Sequence, residues 1–530
     1  MRMAVKVVIL RETSRKGFAA QGTQWIGPRP EDRCGSGLHE VSRPFARRMR
    51  RTFLTNLALV LALNLLVKPF YIFGIDAEVQ VRAGTAVYGG YAALLSLSFL
   101  LNILLDLGIT NWNTRQIAQH THLMGKHASG ILVARSMLAL VYGAAVLGAG
   151  WWLGYRGGQL QLLGILALNQ VLVATILYLR SNIAGAQRYA QDSLLSVLDR
   201  VLLIGICAWL LWGRSGPSPF PITWFAWAQT AAYGLTAVTA LVLVARRAGG
   251  LRPRWDPAFT RSVLRQSFPY ALLVLLMSFY YRTDMLMLER LLPDGDLQAG
   301  IYAQGFRFFE AFNMLGFLLA GLLLPMFSRM LKQGEAVGPL TGLALRLVLA
   351  GTVAVAVLGS GHAKEVMDLR YHEHTDISAP AFAVMIWSFV AVCITYVFGT
   401  LITASGDLRT LNLLAAGGMV LNIGLNLVLI PRWQVLGAAW AGLITQWAMA
   451  LAQMVVAARR YALRPTAWQL LLPVVYGAAL VLLGRVLHAQ GTGLAVAVAA
   501  ITGAALVLAF ALGLLRLGAV RAAWKLRGQG

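Results

Sequence analysis

The run YGGYAALLSLSFLLNILL, Tyr88–Leu105, holds eighteen consecutive residues without a single charge. As a helix it rises about 27 Å, close to the thickness of a bilayer's hydrocarbon core. Comparable runs recur from Phe53 almost to the C-terminus, and 58% of the 530 residues are hydrophobic against 13% charged. A soluble chain of this length has far more charge. Taken together, the runs predict an all-α membrane protein with about 14 transmembrane helices, at 53–74, 88–110, 128–152, 160–179, 193–213, 220–244, 267–289, 300–327, 340–360, 380–402, 411–430, 436–457, 468–487 and 493–515.

Loop charge orients these spans. The net charge of +25 comes from Lys and Arg spread over many short loops, with no recognition helix or zinc-finger spacing, so nucleic acid is not an expected partner. Placing the N-terminus inside puts most of the cations in cytoplasmic segments, with Arg246, Arg247, Arg252, Arg254, Arg261 and Arg265 prominent. The intervening loops collect acids: Asp76, Glu78, Asp294, Asp296, Glu365, Asp368, Glu373 and Asp376. Both termini are then cytoplasmic.

The segments divide into a basic tail at 1–48, a six-helix lobe at 49–244, a cytoplasmic linker at 245–266 carrying Pro253 and Pro257, a second six-helix lobe at 267–457, and a two-helix extension with its tail at 458–530. Met49-Arg50-Arg51 directly precedes the first span, which makes Met49 a candidate start and leaves 1–48 either untranslated or a tail touching anionic phospholipids. That tail has no apolar core of signal-peptide length. Val87-Tyr88-Gly89-Gly90-Tyr91 opens the second span and Ala299-Gly300-Ile301-Tyr302 the eighth, each after an acidic loop and a helix with a deep cation. This repetition makes the two lobes pseudo-equivalent.

Charges inside spans need partners, water or a task. Lys68 and Arg282 lie about 22 Å from the cytoplasmic starts of the first and seventh spans, and Arg307 reaches a similar level from the other side. Three cations at one depth predict an anion site. Glu310 shares the face of Arg307, while Asp106, Arg135 and Asp284 complete the set expected in ion coupling or charge pairing. Pro69 predicts a kink in the first helix beside a cavity. Arg346, Arg485 and Glu289, near helix ends, read as snorkelling to the interface.

The run Asn64-Leu-Leu-Val-Lys68-Pro69, Tyr88-Gly-Gly-Tyr91, Leu105-Asp106-Leu-Gly108 and Arg115-Gln-Ile-Ala118 resembles the polysaccharide flippases of the multidrug, oligosaccharidyl-lipid and polysaccharide exporter superfamily. Leu421-Asn422 to Asn426, Leu429-Ile-Pro431 and Leu436-Gly-Ala-Ala439 resemble that superfamily's eleventh and twelfth helices. The resemblance implies translocation of polyprenyl-diphosphate-linked oligosaccharide repeat units across a bacterial inner membrane for surface polysaccharide synthesis, alongside the glycosyltransferases and polymerase of that pathway. Lys68, Arg282 and Arg307 would then meet the diphosphate. The last two spans resemble the extra pair of the lipid II flippases, thought to form a groove for the lipid tail, but a dense run of cavity arginines is missing.

Two other readings stand beside this one. An ion-coupled multidrug exporter of the same superfamily is expected to have twelve spans and fewer deep cations. A membrane polymerase or ligase needs catalytic groups on a sizeable loop. The longest outer loop offers only His372-Glu373-His374, which reads as solvated rather than metal-binding. No GxxxxGK[ST] loop occurs, and neither metal, cofactor nor enzymatic activity is expected. Cys34, Cys207 and Cys393 share no ligand spacing.

Overall fold

The structure, a computed structural model, describes residues 66–110, 113, 117, 124–186, 188–213, 219–248, 250, 257–463 and 467–514. They fall within one unit, Phe53–Gly530. The candidate tail at 1–48, most of the first span with Asn56 and Asn64, and Arg115 to Ala118 apart from Ile117 lie outside the described residues.

Backbone amides in a hydrocarbon core must be satisfied within their own segment, so these apolar runs fold as helices. After Pro69 the first helix continues as a π-helical turn, Tyr71–Asp76, and then as α1, Ala77–Ala83. The Ala77 N–H bonds back to the Ile72 carbonyl, the wider ring of a π turn. α2 (Thr85–Leu100) and the short α3 (Ile103–Asp106) together form the second span. Then come α4 (Met124–Trp152), α5 (Gly157–Gly185), α6 (Tyr189–Trp212) and α7 (Ile222–Arg247). The second half holds α8 (Pro257–Leu291), α9 (Gly295–Gln333), α10 (Gly338–Gly361), the short α11 (Ala363–Asp368), α12 (Thr375–Ala404) and α13 (Leu408–Arg460). α14 (Ala467–Ala489) and α15 (Leu494–Ala511) close the described chain.

Among the described residues, twelve helices are long and apolar enough to cross a membrane. One of them, α13, has 53 residues and would measure about 80 Å if straight, far more than one crossing. It breaks after Pro431, at Gln434 (φ 49°, ψ −126°), into the two spans read from the sequence. A Cβ on Gly437 would sit 2.2 Å from the Leu429 carbonyl oxygen, so the hairpin can close this tightly only on glycine. With this hairpin the described helices give thirteen crossings, and the first span read from the sequence, mostly outside the described residues, would make the fourteenth. The chain is an all-α, multi-pass membrane protein.

In the first half α5 packs on α7 and α6 on α7, and in the second α12 packs on α9, α10 and α13. α2 joins the halves by lying against both α8 and α9. α14 and α15 pack on each other and on α10.

The first acidic loop is a correction. Asp76 and Glu78 are helical, and only Gly84 (φ 89°) separates α1 from α2. The span read from the sequence ends at Gly74, but the helix continues through Ala83, and Asp76 finds buried partners. Glu289 is a second correction: it does not snorkel, since Tyr155 donates to it at 2.8 Å and Arg290 pairs with it at 2.7 Å.

Candidate functional site

The two glycine-tyrosine helix starts meet each other. A Cβ on Gly89 would lie 1.8 Å from the Asp296 carbonyl oxygen, and one on Gly300 would lie 2.0 Å from that of Thr85. α2 and α9 therefore cross backbone to backbone at the acidic-loop end of the bundle. Further bonds hold this end shut. Gln80 donates to the Gly300 carbonyl at 2.8 Å, Gln304 to the Glu373 carbonyl at 3.1 Å, and Arg370 to the Phe73 carbonyl at 2.7 Å and Glu78 at 2.9 Å. Glu373 also accepts from Thr85 at 3.3 Å, and among the described residues no group of three His, Cys, Asp or Glu could hold a metal.

Beneath the crossing runs a chain of four charges. Arg307 lies 2.7 Å from Asp76 and 2.6 Å from Glu310, whose other oxygen lies 2.7 Å from Arg282. Tyr88 donates to Asp76 at 2.8 Å and accepts from Arg307 at 2.8 Å. Arg282 also stacks over Phe99, its guanidinium carbon 4.6 Å from the ring centre. Two acids face two arginines, which makes such burial tolerable.

Arg282 forms part of the wall of a 620 Å³ cavity. The wall draws on both halves: Phe99 and Asn102 from the second span, Arg135 from α4, Asn313 from α9, Tyr396 from α12 and Gln446 from α13. Asp106 and Arg135 also line it and pair at 2.6 Å, with Arg135 reaching the Ala174 carbonyl at 2.8 Å. The cavity lies toward the basic loops, on the far side of the charge chain from the glycine crossing.

Of the three predicted anion ligands, the structure brings Arg282 and Arg307 together through Glu310. Lys68 stands apart, with Arg200, Asp199 and Arg180 as its charged neighbours. Neither Lys68 nor Pro69 is among the described residues lining the cavity. Counted from the helix ends at Ala83 and Leu291, Lys68 lies about 20 Å down and Arg282 about 13 Å, because the first helix extends past Gly74.

Asp284 faces away from the arginines. It accepts from Tyr302 at 2.9 Å, Asn422 at 3.1 Å and Asn426 at 2.7 Å, and among the described residues it makes no ion pair. The Asn426 Oδ1 beside it is buried without a partner. Asp76, Tyr88, Tyr302, Asn422 and Asn426 were not on the predicted site. Asn422 and Asn426 did carry a signal, two amides four residues apart in an apolar span and so on one helix face.

The fold is shared with solved transporters. Lipid II flippase MurJ in an inward closed conformation superposes with a TM-score of 0.65 over 86% of this chain and 96% of MurJ, at 11% identity. An inward-facing multidrug resistance MATE family transporter matches with 0.57 over 77% and 98%, at 14% identity. The MATE transporter VcmN of Vibrio cholerae, in its bent form, matches with 0.51 over 77% and 99%, at 18% identity. The chain has the fold of the MOP superfamily transporters. A family profile described as polysaccharide biosynthesis protein matches residues 82–331, which bears out the resemblance to the polysaccharide branch. None of the curated proteins matches the sequence. The profile spans the crossing glycines, the charge chain from Arg282 to Glu310, and Asp284.

Proposed function

We propose that this protein carries polyprenyl-diphosphate-linked oligosaccharide repeat units from the inner to the outer leaflet of a bacterial inner membrane by alternating access. The observation that carries the reading is Arg282, a cation on the cavity wall whose acid partner Glu310 is shared with Arg307. A diphosphate offers concentrated negative charge and acceptor geometry that a guanidinium matches. Binding at Arg282 would release Glu310 wholly to Arg307 and disturb the chain to Asp76, which links the lobes beneath the closed end. Loop charge puts that end at the outer face, so the conformation is inward-facing. Lys68, on the first helix, would meet the phosphates in a later state of the same cycle, and the π turn after Pro69 gives that helix a place to bend.

Asp284 is the group assigned to coupling. A buried carboxylate held only by neutral donors can take a proton or a monovalent cation without losing an arginine partner. The Asp106–Arg135 pair is assigned to positioning the cavity wall. Domain boundaries follow the sequence reading, with the lobes at 49–244 and 267–457 and the helix pair at 458–530 beside the lipid tail.

The test is purified protein in proteoliposomes with fluorescent polyprenyl-diphosphate oligosaccharide, read by leaflet accessibility. Arg282→Gln and Lys68→Gln each lower the rate at least tenfold with unchanged membrane insertion. Wild-type rates in both variants contradict the cation role. Export of organic cations without lipid translocation would instead favour the multidrug reading.

A further inference from the structure

A second cavity, of 660 Å³, lies where the ends of α10 and α14 meet the start of α12. It is remote from the charge chain and faces the lipid-exposed helix pair. Its floor is apolar, with Val357 of α10, Ala383 and Trp387 of α12 and Val481 of α14. Its rim is charged and comprises Lys364, Glu365, Asp376, Arg485 and His488. α14 is fixed there by the Tyr476 hydroxyl, which donates to the Ala350 carbonyl at 2.6 Å.

The rim charges are unevenly matched. Lys364 is held by Asp376, by the Thr375 hydroxyl at 2.9 Å and by Asp368 at 3.7 Å. Arg485 is exposed, four residues before the end of α14, and makes no hydrogen bond or ion pair among the described residues. The Glu365 carboxylate is exposed and equally unpartnered among them. Beside them the His488 ring stands edge-on to His362, their centres 6.0 Å apart. A guanidinium and a carboxylate thus stand free at one cavity mouth, above an apolar floor that includes the Trp387 indole.

We propose that this crease binds a zwitterionic glycerophospholipid, its phosphate on Arg485 and His488, its ammonium on Glu365, and its acyl chains along Val357, Trp387 and Val481. An unpaired guanidinium is a natural phosphate ligand. The same mouth disfavours a diphosphate, whose greater negative charge would lie beside Glu365 and Asp376. A headgroup carrying one charge of each sign satisfies both free side chains. The helix pair is thereby tied to the second half through a structural lipid separate from the transported one.

The test uses the full-length protein released from vesicles of equal phosphatidylethanolamine and phosphatidylglycerol, with retained lipid read by native mass spectrometry. Wild type retains phosphatidylethanolamine preferentially. R485Q lowers its retention at least fivefold, while R485K keeps at least half of it. E365Q retains lipid but loses the preference for the amine headgroup. Arg346, another arginine in a span, donates to the Gly342 carbonyl of its own helix at 3.0 Å, and R346Q leaves retention unchanged. Wild-type retention in R485Q, or displacement by inorganic phosphate or by equimolar polyprenyl diphosphate, overturns the assignment.

Discussion

Asp76 lies seven residues before the end of its helix at Ala83, and Asp284 lies seven before the end of α8 at Leu291. Each is buried and accepts a hydrogen bond from a tyrosine of the following helix, Tyr88 in the first half and Tyr302 in the second. Their remaining partners differ. Asp76 has Arg307, contributed by the opposite half, whereas Asp284 has two asparagines of its own half. One acid is spent on a charged tie between halves. The other is held by neutral donors only, which is why coupling is proposed for it. Pseudo-equivalent helices thus carry equivalent acids with unlike partners, and the unlike part is what the neighbouring helices bring.

The largest effect should come from breaking the tie. Arg307→Ala strands Asp76 and leaves Glu310 with Arg282 alone, and loss of one partner from a buried pair costs about 3–5 kcal/mol. Thermal unfolding in detergent should show a strong loss, partly restored by adding Asp76→Asn. Additive losses in the double variant would show that the two groups are not coupled.

Asp284→Asn should behave in the opposite way. Stability should change by less than about 1.5 kcal/mol, because the amide oxygen can still accept from Asn422 and Asn426 while its NH2 donates to the Tyr302 hydroxyl, and ion-driven transport falls at least tenfold. Thermal shift and transport under an imposed proton or sodium gradient measure the two halves of this statement. A variant that still responds to either gradient removes Asp284 from coupling.

Gly300→Ala sharpens the comparison at the point where the halves touch. The new Cβ would meet the Thr85 carbonyl at 2.0 Å, so the closed crossing must separate. Cysteine accessibility from the acidic-loop side should rise several-fold in this variant. Unchanged accessibility would mean that the crossing does not close that end.

The smallest effect lies outside the membrane, at Asp407, the N-cap of α13. The Thr410 hydroxyl and amide hold the Asp407 carboxyl below its usual range, with the amide at 3.3 Å. A lowered carboxylate contributes stability above its unfolded pKa and loses it as pH falls through the folded value. Asp407→Ala should cost about 1 kcal/mol near neutral pH and nothing in strong acid.

Much of this was legible in the sequence. Chain length between polar breaks is a direct reading of bilayer thickness, so the spans and the hairpin inside α13 were recoverable even though no turn signal stronger than Pro431 marks it. The repetition of the two glycine-tyrosine starts was legible, but their contact was not, since a repeat says nothing of which copies touch. The partners of Asp76 were not legible. A carboxylate just past an apolar run reads as a loop residue, and only the approach of α9 from the other half reveals Arg307 beside it. The depth of Lys68 is hidden for the same reason: the apolar run ends at Ile75, while the helix runs on to Ala83 through a buried polar network that no local pattern encodes.

The most direct measurement is the rate at which labelled polyprenyl-diphosphate oligosaccharide becomes accessible on the opposite leaflet of proteoliposomes. The proposed function requires a rate at least tenfold above empty vesicles, lost in Arg282→Gln and made insensitive to the ion gradient in Asp284→Asn. Equal rates in empty and protein-containing vesicles would contradict it.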